Sequence, residues 1–206
     1  MTPIKILSVD DHPLMLEGIR AVLEGEPDFE VVAEATNGKE AVERFRTHRP
    51  DVTLMDLQMP VLTGIDAIHE IRREFPNARV IVLTTYSGDV QALRAMKAGA
   101  AAYLLKNMLR KELPDRIRSV HAGKRYIPEE IAIEMAEHVA DDSLSGREVE
   151  VLKLVAEGNA NKEVAVLLHI AEETVKAHMT KILAKLRAND RTHAVTIALR
   201  RGFLDA

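Results

Sequence analysis

Asp10, Asp11, Asp56, Thr84 and Lys106 are the side chains of this sequence whose types and spacing suggest shared chemistry. Asp56 closes the apolar run Val52-Thr53-Leu54-Met55 and leads into Leu57-Gln58-Met59-Pro60, so a carboxylate stands where a buried strand opens into a loop. The arrangement recurs: Ile4 to Val9 runs into Asp10-Asp11, Val80 to Leu83 into Thr84, and Ala102 to Leu105 into Lys106. Three carboxylates gathered on one rim repel, each pair at about 4 Å costing on the order of 4 kcal/mol at an effective dielectric of about 20. A hard divalent cation offsets that cost, and Mg2+ accepts a few carboxylates, a backbone carbonyl and waters. Lys106 adds a second positive group. An aspartate beside Mg2+, with a hydroxyl and an ammonium aimed at the same volume, suits attack on a phosphoryl group with Asp56 as nucleophile. Taken singly, each residue has a plainer reading. Asp10-Asp11 ahead of His12-Pro13 can cap a helix, Lys106 can be solvated, and Thr84 alone says nothing. Only their joint placement carries the chemical reading.

The elements that must position them are five short apolar runs, at 4–9, 31–35, 52–56, 80–84 and 102–106. Each is followed by helical spacing such as Ile65, Ile68, Ile71 and Phe75, or Val90, Leu93 and Met96. Strands rich in Val, Ile and Leu that alternate with amphipathic helices imply a doubly wound five-stranded parallel sheet, flavodoxin-like, with both faces covered. Ligands of such sheets bind beyond the carboxyl ends of the strands, near the switch point of the topology. After Gly123-Lys124 the pattern changes: Pro128, Glu129, Glu130, Glu134, Glu137 and Asp141-Asp142 mark an acidic, partly helical linker. From Leu144 only helical periodicity remains, with breaks at Gly158, near Ala171 and at Ala188-Asn189-Asp190. The expected organisation is an α/β domain over 1–122, a linker over 123–142 and a small all-α domain over 143–206.

Composition bounds the rest. A chain of 206 residues, 47% hydrophobic, can bury a core in each of two domains. No apolar run approaches the roughly 18 residues of a membrane span, and no basic-then-apolar leader is present, so the expectation is a cytoplasmic protein without membrane contact. The absence of cysteine excludes disulfides and thiolate chemistry. The net charge of −4 is uneven, at −1 over 1–124, −5 over 125–142 and +2 over 143–206. Only the last third is a candidate nucleic-acid surface.

The segments Val9-Asp10-Asp11-His12, Leu54-Met55-Asp56-Leu57-Gln58-Met59-Pro60, Thr63-Gly64, Leu83-Thr84-Thr85 and Gly99 through Lys106 resemble, in order and spacing, the receiver domain of two-component response regulators over residues 4–121. That resemblance implies Asp56 as phosphoacceptor. It implies Mg2+ held directly by Asp11, Asp56 and the Gln58 carbonyl, with Asp10 acting through water. It also implies Thr84 and Lys106 on the phosphoryl group, Tyr103 as an aromatic switch, and Gln58 and Tyr86 as tuners of phosphoryl lifetime. Asn107 stands where many receivers have proline. A rival reading is a metal-dependent phosphatase that forms and rapidly hydrolyses an aspartyl phosphate. Such enzymes need an acid/base carboxylate two residues after the nucleophile, where this chain has Gln58, so water should attack slowly. The reading is therefore a signalling protein and not an enzyme.

Ser145-Gly146-Arg147-Glu148 is a capping box opening a helix, with Val149, Leu152 and Val155 on one face and Gly158 as a stop. A second helix spans Asn161 to Leu168. A third runs from about Glu172 to Leu186 with Val175, Met179, Ile182 and Leu186 aligned. On a helical wheel Glu173, Ala177, Thr180 and Ala184 lie opposite that stripe, flanked by Lys176, Lys181 and Arg187. Lys176, Lys181, Lys185 and Arg187 could simply be a solvated face. The short His169-Ile170-Ala171 turn and the lack of bulk on the exposed face favour a helix-turn-helix that enters a major groove. Residues 144–204 resemble the LuxR-type DNA-binding domain through Leu144 to Leu152, Gly158, Asn161-Lys162-Glu163-Val164-Ala165 and Thr174-Val175-Lys176-Ala177-His178. The two matches together place the chain alongside the NarL/FixJ group. On this resemblance Lys176, Ala177 and Thr180 face bases or nearby phosphates, Lys181 and Arg187 contact the backbone, and a fourth helix from about Thr192 to Arg201 pairs two copies on DNA. Ala160 and Ala171 stand where the family commonly has a Ser or Thr cap, each omission costing about 1 kcal/mol. Single-stranded nucleic acid fits less well, because Phe203 is the only aromatic residue in 143–206.

The combined reading is a regulator of transcription whose phosphorylation at Asp56 by a sensor histidine kinase gates homodimerisation and binding to double-stranded DNA, with RNA polymerase as a further candidate partner. In this reading Thr84 and Lys106 move toward the phosphate and Tyr103 follows. A receiver that docks to another protein through a helical tail is the alternative.

Overall fold

The β1 strand (Ile4–Val9) is hydrogen-bonded on both sides, to β2 (Phe29–Ala35) and to β3 (Val52–Asp56), and the sheet continues through β4 (Val80–Thr84) to β5 (Ala102–Leu105) in the all-parallel order β2-β1-β3-β4-β5. In this computed structural model residues 2–85, 88–138 and 144–204 are described, with nothing assigned to the side chains of Glu134, Glu137 and His138. Tyr86 and Asp141-Asp142, singled out from the sequence, lie outside the described residues. The chain divides into two compact units, one of residues 1–86 with 92–129 and the other of residues 87–91 with 130–206.

In the first unit every residue of β3 and β4 is buried, which is why these strands read as unbroken apolar runs rather than alternating ones. Its helices are α1 (Pro13–Glu24), α2 (Gly38–His48), α3 (Gly64–Glu74), residues 92–98 of α4 (Asp89–Ala98), and α5 (Leu109–His121). Ile19 and Leu23 of α1 and Leu113, Ile117 and Val120 of α5 pack with Ile6, Leu54, Ile81, Leu83 and Leu104 into one core. Asn37 and Thr63 cap α2 and α3 by accepting from the N–H of Glu40 and of Asp66. The chain leaves β1 toward β2 and then crosses to β3 on the other side, so the crevice of this topology opens at the carboxyl ends of β1 and β3.

Two details depart from the sequence reading. The last strand stops at Leu105, and Lys106–Met108 forms a 3-10 turn. The outer edge of β5 is also occupied: Tyr126 lies parallel to Ala102, its N–H donating to the Ala101 carbonyl at 3.1 Å and its carbonyl accepting from the Tyr103 N–H at 3.0 Å. The Arg116 guanidinium lies 3.5 Å from the Tyr126 ring centroid, and the Tyr126 hydroxyl donates to Glu112 at 3.3 Å. Residues after α5 thus return to close a sheet edge that would otherwise present unpaired backbone.

The second unit is helical: α6 (Glu129–His138), α7 (Gly146–Ala156), α8 (Asn161–Leu167), α9 (Glu172–Leu186) and α10 (Arg191–Arg201). Its core gathers Val151, Leu152 and Val155 from α7, Val164 from α8, Val175, Met179, Ile182 and Leu186 from α9, and Ala194 and Ala198 from α10. Ser145 and Glu148 form the reciprocal capping box that the sequence predicts, and Gly158 follows α7 at φ 95°. No helix among the described residues is long and apolar enough to cross a membrane.

Candidate functional site

Asp10, Asp56 and Lys106 meet at the carboxyl ends of β1, β3 and β5. The Lys106 ammonium lies 2.7 Å from Asp10 Oδ2 and 3.1 Å from Asp56 Oδ2, while Asp10 is fully buried and Asp56 nearly so. Asp56 Oδ1 accepts the Leu57 N–H at 2.8 Å, which fixes the carboxylate against its own strand end. Burial pushes the Asp56 carboxyl above the ordinary carboxylate range. The Lys106 charge pulls it back and the Asp10 charge pushes it up again. Burial acts to lower Lys106, but its bond to Asp10 and the charges of Asp56 and Asp10 outweigh this and hold the ammonium above its ordinary value.

Asp11 sits beside this pair. The side chains of Asp10, Asp11 and His12 each offer one ligand atom within 4.8 Å of the others, a grouping able to hold a metal ion. Asp10 does not cap α1; its Oδ1 instead accepts the His12 N–H at 3.0 Å, and Asp11 Oδ1 lies 2.8 Å from His12 Nδ1. Asp10 Oδ2 and Asp11 Oδ1 are buried oxygens, the first paired with the Lys106 ammonium and the second with the His12 imidazole. Oxygens held this way suit a hard cation. Asp56 joins the same rim through Lys106 and is not one of that compact trio.

Thr84 is buried at the end of β4, and its side chain is hydrogen-bonded to the Tyr103 hydroxyl. Tyr103 is fully buried, and burial raises its hydroxyl above the usual value. The ring lies inside the fold and is held through Thr84. Gln58 follows in the loop as a half-buried residue. The backbone of that loop is clamped by Gly64, whose N–H donates to the Leu57 carbonyl at 3.0 Å. A Cβ on Gly64 would fall 1.9 Å from the Asp56 carbonyl oxygen.

On α9 the wheel is reproduced, with Glu173, Lys176, Ala177, Thr180, Lys181, Ala184 and Arg187 exposed and Val175, Met179, Ile182 and Leu186 buried. Lys176 is not a free cation: its ammonium lies 2.8 Å from Glu173 and 3.4 Å from Glu172. The Thr180 hydroxyl donates to the Lys176 carbonyl at 3.0 Å. Lys185, grouped with the solvated cations, instead pairs with the buried Glu148 at 2.7 Å and ties α9 to the start of α7. That pairing across 37 residues leaves no periodic signal. The turn between α8 and α9 places His169 at φ 53°, a left-handed conformation that favours Gly or Asn.

Neither Ala160 nor Ala171 offers a side-chain cap, although Glu163 accepts the Ala160 N–H at 2.6 Å. Ala171 has the extended backbone of an N-cap (φ −71°, ψ 146°), so Ala171→Thr should stabilise the second unit by about 1 kcal/mol. A shift of the urea midpoint upward checks this; an unchanged or lower midpoint contradicts it.

A parallel sheet with buried aspartates and a lysine at its carboxyl rim, followed by a helix-turn-helix unit, defines a response regulator with a DNA-binding output unit. Family models agree: the response regulator receiver domain matches residues 6–118, and the luxR family of bacterial regulatory proteins matches residues 142–198. Response regulator protein VraR of Staphylococcus saprophyticus subsp. saprophyticus is 35% identical over 98% of this chain and 99% of its own length, and VraR of Staphylococcus aureus is 36% identical over the same shares. Among solved structures, the response regulator ChrA of a heme-sensing two-component system superposes with a TM-score of 0.59 at 33% identity, covering 99% of this chain and 100% of ChrA. RcsB from Salmonella enterica serovar Typhimurium, bound to a promoter in the presence of phosphomimetic BeF3-, gives 0.72 at 28% identity over 95% and 98%. The chain belongs to the NarL/FixJ-type response regulators, DNA-binding regulators of transcription.

Proposed function

We propose that Asp56 is the phosphoacceptor and that its phosphorylation by a sensor histidine kinase gates DNA binding by α9. The observation that carries this is the buried Asp10–Lys106–Asp56 constellation, with Lys106 within 3.1 Å of both carboxylates. An Asp56 oxygen attacks the phosphorus of a phosphohistidine, the P–N bond breaks, a P–O bond forms, and the imidazole departs. Lys106 and Thr84 hold the oxygens of the transferred group. Asp10, Asp11, Asp56 and the Gln58 carbonyl would hold Mg2+, which supplies positive charge against those oxygens. Gln58, lacking an acid/base carboxylate, leaves water poorly activated, so the phosphate persists long enough to signal. The protein acts as a regulator working in the cytoplasm, not as an enzyme.

Charge added at Asp56 competes for the Thr84 hydroxyl that Tyr103 uses. Because the Tyr103 N–H also donates to the Tyr126 carbonyl, a shift of this strand reaches the chain that leaves the receiver. We assign the receiver to 1–122, the connecting segment to 123–142 and the DNA-binding domain to 143–206. There Lys176, Ala177 and Thr180 approach bases or adjacent phosphates, Lys181 and Arg187 contact the backbone, and α10 pairs two copies on DNA. Lys176 must exchange Glu173 for a phosphate, and Thr180 must release the Lys176 carbonyl to read a base. RNA polymerase is the further partner of such a dimer.

The test is duplex selection and titration with and without phosphorylation. Phosphorylation should tighten binding to one selected sequence, and Lys181→Ala should weaken all duplexes alike and lower the salt slope by about one. Affinity that ignores both phosphorylation and sequence would instead support a receiver that docks to another protein.

A further inference from the structure

The amino-terminal edge of the sheet, at the far end of the strands from Asp56, carries a concavity of about 390 Å3. It forms where the chain leaves α3, α4 and α5, and Gly99 and Gly123, at φ 106° and 84°, shape two of its walls. Arg72, Arg79, Lys124 and Arg125 line it, and no aspartate or glutamate does. Arg72 donates to the Ala78 carbonyl at 3.0 Å, and Arg79, Lys124 and Arg125 have no carboxylate partner among the described residues.

Helix carboxyl ends attract cations, which offers a purely structural account of these four. Each end carries roughly half a negative charge, so three helices offset less than about half of four full positive charges. A net positive concavity remains, and clustering cations without counter-charge costs the fold something unless an anion neutralises them. The volume lies at the small end of ligand pockets. Its walls contain no aromatic ring on which a base could stack.

We infer that this concavity binds a compact, multiply charged phosphate, either free pyrophosphate or the phosphate end of a nucleotide. Two of its cations, Lys124 and Arg125, immediately precede Tyr126, whose backbone pairs with Ala101 and Tyr103. A bound anion therefore fastens the segment that leaves the receiver against β5.

Pyrophosphate titrated into the full-length protein, with EDTA present to keep metal from the acidic rim, provides the test. The 1H–15N amide signals of Gly99 and Gly123 should shift and saturate. Lys124→Gln with Arg125→Gln, both at exposed positions, should weaken binding about tenfold or more, the equivalent of about 1.4 kcal/mol. Lys39→Gln with Arg44→Gln, an equal charge change on exposed positions of α2, should leave affinity unchanged. ADP should bind at least as well as pyrophosphate. Equal weakening in both double variants, the same shifts from sulfate at matched ionic strength, or binding of ADP without pyrophosphate would each overturn the inference. Shifts of the two glycines produced by duplex DNA alone would assign the patch to nucleic acid and overturn it as well.

Discussion

Gly64→Ala should destabilise the first unit and disable its acidic rim together. The added methyl would sit 1.9 Å from the Asp56 carbonyl oxygen and 2.9 Å from Leu57 Cα, both backbone atoms that no rotamer change can move. The loop carrying Leu57 and Gln58 has to shift, and the Gly64 N–H bond to the Leu57 carbonyl has to lengthen. Overpacking of this kind costs about 1–3 kcal/mol. Because the displaced atoms belong to Asp56 itself, a movement near 1 Å should also slow phosphoryl acquisition by about 100-fold. Denaturant midpoints and the rate of phosphorylation by a small-molecule phosphoryl donor read the two effects separately. A variant with wild-type stability and rate would show that the loop is not clamped as described.

Asp56→Asn should abolish phosphorylation yet raise thermal stability at neutral pH. The folded-state pKa of Asp56 is raised, chiefly by burial, so the native state holds this proton more tightly than the unfolded chain does. The stability it contributes is fully present below the unfolded value and is lost as pH rises through the folded one. At neutral pH wild-type protein therefore carries a buried carboxylate at a cost, which asparagine removes while Lys106 keeps its partner Asp10. The advantage of the variant should vanish as the pH falls to the ordinary carboxylate range and below. Melting curves across that window check the sign. A variant less stable than wild type at neutral pH, or an advantage that grows on acidification, would contradict it.

The central strands β3 and β4 were legible because burial on both faces leaves continuous apolar runs, and the polar residues that end or follow β1, β3, β4 and β5 mark a carboxyl rim. The exposed stripe of α9 was legible for the same kind of reason, since one period relates all its members. Periodicity says nothing, however, about pairs brought together by folding. Lys185 looked like one more solvated cation until α9 packed across α7 and placed it on Glu148. Tyr126 fell in a stretch read as linker, because a single residue bonded along β5 has no strand pattern of its own. Gly64 was visible as part of a motif, but its reason, the Asp56 carbonyl in the place of a side chain, exists only in three dimensions. The resting place of Tyr103 has no sequence signal either, as a tyrosine on a strand can point to either side of its hydroxyl partner. Thr84 decides the matter here.

The central claim, a covalent phosphate on Asp56, is tested most directly by intact-protein and peptide mass spectrometry after incubation with acetyl phosphate and Mg2+. One phosphoryl increment should appear, map to the peptide containing Asp56, and be lost with Asp56→Asn. An increment that survives that substitution, or none at all on folded protein, would contradict the account.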